Sequence, residues 1–383
     1  MMKLCIVSGI YPPDIGGPAV YVARLARALH DRGFQITLVI PEGKGEQEAP
    51  VPFSLHTFAW GSSVLSRYLA AYRKTREHAA AGDLLFVNGF GVAAVMAGRR
   101  AKVPVVLKVV GDFAWERARN RGLTTLSLED FQESHGGASV QALKRTRNFF
   151  VRRAGLVITP SRYLAEIVRG WGIPSEKIRI VYNAVEAPAE PLPESNQAKA
   201  SLDLQGPTII SVGRLVNWKG MDGLIRVFPG LPGNARLVIV GDGPEAQRLR
   251  NLASETGLKN RIRFTGALPR RDVLRYLKAA DILVLNSTYE GLSHLLLEGL
   301  MCGTAIVASD CGGNPEVVED GVNGFLVRAG EDSELSERLV QLLKDPGLRA
   351  SFVTAGYQKL ESFGWPRLLE ETIHVFQEAV GGC

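Results

Sequence analysis

The chain has 383 residues, 46% of them apolar and 22% charged, with a net charge of +6. That balance fits a globular protein of two or three domains and excludes disordered or fibrous classes. No apolar run reaches the roughly 18 residues of a membrane span, and the four cysteines, at positions 5, 302, 311 and 383, have neither metal-ligand spacing nor disulfide-framework density.

The first residues read as a β-strand, 3–8. Pro12, Pro13 and Asp14 end it, and no small-residue cleavage site follows, so the segment is not read as a signal peptide. A cytoplasmic location is expected, with peripheral contact at the inner face of a membrane as its extension. The charge is uneven. Residues 1–187 carry 25 Lys and Arg against 15 Asp and Glu, whereas residues 188–383 carry 20 against 24. The first half is therefore expected to face something acidic: an anionic lipid surface, a phosphate-bearing acceptor or an acidic glycan. No nucleic-acid partner is expected.

After the first strand, Gly16-Gly17-Pro18 opens a helix with apolar residues at 20, 22, 25, 26 and 29, a helical period. A strand at 34–40 follows. Strand, glycine-rich loop, helix and strand make a βαβ unit, and glycines at such a turn let backbone N–H groups approach a phosphate. The turn is not G-x-G-x-x-G, so a nicotinamide fingerprint is absent. Further strands are expected at 83–88, 104–109, 155–159 and 177–181, with helices at 139–153 and 161–170. The long segment 111–139 after the 104–109 strand lies where ligand-contacting loops of such sheets occur, and Asp112 is its carboxylate nearest the strand end. Lys144, Arg145, Arg147, Arg152 and Arg153 share the 139–153 helix with Phe149 and Phe150, a pattern that suits an acidic membrane surface or, equally, one polar helix face.

Proline and small polar residues gather after Val181, which places a domain boundary near 186–200. A second βα series then begins. A strand at 207–212 leads into Gly213-Arg214, with Lys219-Gly220 opening the next helix. Two cations at a strand end beside a helix N-terminus make a site for a diphosphate. Strands at 237–240, 261–264 and 281–285 follow, the last delivering the chain to Glu290. A helix starting near Ser293 carries Glu298 in its second turn. Its first N–H groups, at Ser293, His294 and Leu295, suit an anion. Glu298 can accept two ribose hydroxyls, and Glu290, at the helix mouth, can orient a sugar. Three amphipathic helices close the chain, at 332–343, 348–362 and 366–380.

The string E-G-x-x-x-x-L-L-E-G-x-x-C-G-T-x-I-V-A-S-D-x-G-G-x-P-E over residues 290–316 resembles the donor-site signature of the retaining GT-B glycosyltransferases of family 4 (group 1). Gly213-Arg214 with Lys219-Gly220 is similar to the family's G-R-x-x-x-x-K-G motif, and residues 241–249 to its G-x-G-P-x-x-x-x-L. The resemblance implies an α/β fold with two Rossmann-like doubly wound domains facing across a cleft. Residues 1–187, joined by a helix at 366–383 that crosses back, would form the acceptor domain, and 200–365 the donor domain. It implies transfer of a sugar from a nucleotide-diphosphate sugar to a sugar or lipid-linked acceptor in polysaccharide or glycolipid biosynthesis, with retention, no cofactor and no metal. Arg214 and Lys219 would hold the pyrophosphate, Gly16 and Gly17 would approach it from the first domain, and the turn at Leu268 would seat the base. Asp112, Glu290, Arg214 and Lys219 would be the catalytic set. Family members commonly have His-Asp where Gly111-Asp112 stands here, so the family's histidine is missing. Three other readings remain at this point: a non-hydrolysing UDP-sugar 2-epimerase of the same fold, a nucleotide-dependent oxidoreductase, and a two-lobed sugar-binding protein without catalysis.

Overall fold

The structure, a computed structural model, describes every residue except 13–16, 44–50, 60, 62, 186, 187, 189 and 383, and residues 17 and 18 by backbone alone. It divides into two compact units, Met1–Tyr182 with Pro366–Cys383, and Asn183–Trp365.

The first unit is built on seven parallel strands: β1 (Lys3–Ser8), β2 (Gln35–Pro41), β3 (Ser54–Phe58), β4 (Leu84–Asn88), β5 (Val105–Lys108), β6 (Leu156–Thr159) and β7 (Ile178–Ile180), in the order β3-β2-β1-β4-β5-β6-β7. The central strands are apolar throughout because helices cover both faces of a parallel sheet. Leu4 to Val7 and Leu84 to Val87 are all buried. Cys5, Val7, Leu85, Val87, Val105 and Leu107 share one core. Phe86 points to the opposite face and meets Phe376 of the C-terminal helix Trp365–Gly381 at 5.2 Å between centroids. Ion pairs from Arg32 to Glu370 (2.6 Å) and from Arg179 to Glu378 hold that helix on this sheet.

Three elements here carry little sequence signal. β3 is an edge strand, largely half-exposed, and its pairing with β2 defines it. The helices Val64–Ala79 and Gly91–Ala101 fill the intervals before and after β4, where alternating α/β order anticipates helices without giving their bounds. The expected loop 111–139 in fact holds two helices, Phe113–Asn120 and Leu128–Glu133.

The basic helix, observed at Ala138–Val151, is a correction to the sequence reading. Lys144 and Arg147 turn inward and are buried. The Lys144 ammonium donates to the carbonyls of Phe131, Gln132 (3.2 Å) and Ser134 (2.6 Å), closing the C-terminal end of Leu128–Glu133. Phe150 is buried, whereas Phe149 is 43% exposed with the Arg153 guanidinium stacked 3.7 Å from its centroid. The outward basic face is therefore narrower than five cations imply. No helix among the described residues is long and apolar enough to cross a membrane.

The second unit holds six parallel strands: β8 (Thr208–Val212), β9 (Arg236–Val240), β10 (Ile262–Gly266), β11 (Ile282–Leu285), β12 (Ala305–Ser309) and β13 (Phe325–Val327), in the order β10-β9-β8-β11-β12-β13. The winding repeats that of the first six strands of the other sheet. Its order reverses between β8 and β11, and such a switch point opens a crevice at the carboxyl ends of the strands, where doubly wound sheets take up ligands. The segments that leave β8 and β11 carry Arg214, Lys219 and Glu290.

Candidate active site

The segment after β8 begins with Gly213 and the exposed Arg214, then forms a short 3-10 turn, Asn217–Lys219. Gly220 follows at φ +61, and a Cβ there would overlap the Asn286 carbonyl oxygen, so only glycine fits. The close approach locks this segment to the one after β11. Asn286 Nδ2 donates to the Gly220 carbonyl at 3.1 Å, and the Thr288 N–H donates to the Trp218 carbonyl at 2.8 Å. Lys219 is thereby set against Glu290, with its Nζ 2.5 Å from Oε1.

Glu290 is fixed from two further sides. Ser287 Oγ donates to the same carboxylate oxygen at 2.7 Å. Beyond β12, the Gly313 N–H donates to the Glu290 carbonyl at 3.0 Å, and a Cβ on Gly312 would overlap that carbonyl. The Gly-Gly pair is thus required by the approach of one backbone to another. The Lys219 and Glu290 side chains keep 21% and 12% of their surface exposed, so the pair is held yet reachable from solvent.

Ser293 is the N-cap of the helix His294–Cys302, with extended backbone, and its buried hydroxyl makes no capping hydrogen bond to that helix. His294 and Leu295 are half-buried in the first turn. The Ser293 side chain therefore caps none of the first N–H groups of this helix. Glu298, one turn on, pairs with Arg270 at 2.7 Å. Burial pushes its carboxyl above the usual range, and the Arg270 guanidinium opposes that rise. Leu268 lies half-buried in the turn between β10 and the helix Arg270–Ala279 that supplies this arginine.

The predicted residues therefore fall into groups. Lys219 and Glu290 meet directly, with Arg214 at the start of the same segment. Glu298 forms a second group with Arg270. Arg270 and Ser287 were absent from the sequence reading; the only signal was an arginine two residues after Leu268. Gly16 lies outside the described residues, and Gly17 is the first residue of the helix Gly17–Asp31.

Asp112 requires a correction. Its carboxylate is fully buried. Oδ1 accepts from the N–H groups of Ala114 (2.8 Å) and Trp115 (3.2 Å), capping the helix Phe113–Asn120. Oδ2 accepts from Gln132 Nε2 at 3.0 Å and pairs with Arg147. Gln132 Oε1 in turn accepts from Arg147 and from the Trp171 indole at 2.9 Å. With both oxygens committed and no exposed surface, Asp112 organises the 111–139 segment in this structure and does not present a base to solvent.

Comparison with known proteins agrees with this architecture. The family described as Glycosyl transferases group 1 matches residues 194–359, and Glycosyltransferase Family 4 matches residues 15–187. The alpha-maltose-1-phosphate synthase of Mycolicibacterium smegmatis is 27% identical, over 98% of this chain and 99% of that protein. The lipopolysaccharide core biosynthesis glycosyltransferase LpsD of Rhizobium meliloti is also 27% identical, over 95% and 96%. The crystal structure of Anabaena HepE in complex with UDP and glucose superposes with a TM-score of 0.78 at 22% identity, covering 99% of this chain and all of that one. With both halves matched by the two families and the GT-B fold in place, the chain belongs to the group 1, family 4 glycosyltransferases.

Proposed function

We propose that the protein transfers a sugar from a nucleotide-diphosphate sugar to an acceptor hydroxyl, with retention at the anomeric carbon. The observation that carries the reading is the Lys219–Glu290 contact at the switch point of the second sheet. There a cation stands beside a carboxylate, with the N-terminus of the helix His294–Cys302 in the segment that follows. When the sugar leaves, negative charge grows on the distal phosphate. Arg214, Lys219 and the helix N-terminus meet that charge as it develops. In the free enzyme Lys219 is paired with Glu290. Donor binding gives the ammonium a phosphate partner and frees Glu290 for hydroxyls of the sugar. Glu298, steadied by Arg270, accepts the ribose hydroxyls.

Because side-chain cations meet the charge, the reading includes activity without a metal and without a cofactor. The anomer formed, read by proton NMR, tests retention, and survival of turnover in EDTA tests metal independence. Similarity to LpsD and to HepE, whose structures hold UDP and glucose, supports a nucleotide-sugar donor and an acceptor from polysaccharide or glycolipid assembly. The surplus of cations in residues 1–187 supports an anionic or membrane-borne acceptor.

A melting-temperature panel of UDP, GDP, ADP and their sugars tests the donor assignment. A ligand at about 100 times its dissociation constant stabilises the folded protein by about 2.7 kcal/mol. One base should raise the melting temperature in the wild type and not in Lys219→Ala. No response to any nucleotide would remove the reading.

A further inference from the structure

The first sheet has its own switch point, between β1 and β4, and its carboxyl end is not explained by the donor reading. Ser8 and Asn88 are register partners there, and Lys108 ends β5 one residue beyond the last recorded pair, Val87 with Leu107. Three polar side chains thus end adjacent strands on the same face of the sheet. Ser8 Oγ donates to the Ile10 carbonyl at 2.6 Å. Asn88 Nδ2 and Lys108 Nζ, both shielded from solvent, have no hydrogen-bond partner among the described residues.

Lys108 is only 6% exposed, and its ammonium lies 3.7 Å from the centroid of the Tyr21 ring. A ring face compensates an ammonium far less well than water or a carboxylate. An orphaned amide donor beside an orphaned cation doubles the deficit, since buried polar groups are almost always paired. The two unpartnered groups share one chemistry: the Asn88 amide N–H2 and the Lys108 ammonium both donate, so an oxyanion with two free oxygens satisfies both at once. The place is right for a ligand. It is the carboxyl end of a doubly wound sheet, Asn88 is itself only half-buried, and Val110, two residues past Lys108, is 45% exposed.

We propose that Lys108 and Asn88 form a binding site for an oxyanion, a phosphate or carboxylate group, at the carboxyl end of the first sheet. The site lies wholly in the first unit and stands or falls apart from the donor reading, which concerns the second. Its electrostatics agree with its geometry. Burial pushes the Lys108 ammonium from 10.5 down to about 7, and a bound anion would restore its charge.

The test uses the full-length protein with isotope-labelled lysine, the Lys108 signal being assigned by its loss in Lys108→Met. Inorganic phosphate and glucuronate are each titrated against sodium chloride at matched ionic strength. The Lys108 signal is expected to shift saturably with one or both anions and not with chloride. Phosphate alone identifies a phosphorylated ligand, glucuronate alone a sugar acid. Asn88→Leu is expected to weaken the response about tenfold or more. Asn88→Asp supplies an internal carboxylate, so the signal should move to its charged position with no added anion and then ignore phosphate. A Lys108 signal deaf to both anions, or one indifferent to Asn88→Leu and Asn88→Asp, overturns the proposal.

Discussion

Two ion pairs in this molecule look alike on paper and differ in what surrounds them. Arg147 and Asp112 keep 4% and 0% of their side-chain surface, and every oxygen of the aspartate has a protein partner. Lys219 and Glu290 keep 21% and 12%, and of the carboxylate's two oxygens Oε1 takes both the lysine and Ser287. The first pair is sealed: removing one member leaves a buried charge with nothing to replace its partner. The second is open enough for its cation to exchange partners. Full satisfaction marks a structural pair, and residual access marks one that can take part in chemistry.

Substitutions separate the two pairs. The largest effect is expected from Arg147→Met, which should lower unfolding stability by about 3–5 kcal/mol in denaturant melts, with turnover per folded molecule reduced far less. A small stability loss would erase the contrast. Arg214→Ala and Lys219→Ala should do the reverse. Each is expected to cost about 2–4 kcal/mol of transition-state stabilisation, a drop of about a hundredfold to a thousandfold in turnover, with melting curves close to wild type. Wild-type turnover in both variants would remove the site.

Lys108, a buried cation with no hydrogen-bond partner among the described residues, extends the comparison to its limit. Its folded pKa of about 7 lies below the ordinary 10.5, so between those values the unfolded chain binds more protons than the folded one. Wild-type stability should therefore gain a rising component from pH 7 upward. Lys108→Met should be more stable than wild type below pH 7, with the difference shrinking toward pH 10.5. Parallel stability curves for the two proteins would show that the ammonium is not penalised in the fold.

Much of the architecture was legible because parallel, doubly covered strands leave continuous apolar runs. β1 and β11 stand out for that reason, and the carboxyl-terminal helices through their helical period. β3 did not, because a half-exposed edge strand is defined by its neighbour and not by its own residues. The segments that carry Arg214, Lys219 and Glu290 were legible as short strings at strand ends, where glycines and charges coincide. Gly220, Gly312 and Gly313 have their reason in backbone overlap that only the folded chain displays. Asp112 was read as catalytic from its position after a strand and from the family's His-Asp, and the same position serves a cap as well as a base. The basic helix was misread because five cations on one helix do not say which of them turn inward.

Composition, strand and helix periodicity and motif spacing determined the α/β class, the division of charge between the halves, and the presence of cations and carboxylates at strand ends. Only the tertiary structure decided that Lys219 rests on Glu290, that Arg270 pairs with Glu298, that Asp112 is sealed under Arg147, and that Lys108 and Asn88 end neighbouring strands with polar groups unpaired among the described residues. The reason is physical: a local pattern reports what a residue is able to do, whereas burial and the identity of its partner, set by segments far away in the chain, determine which of those abilities survives folding.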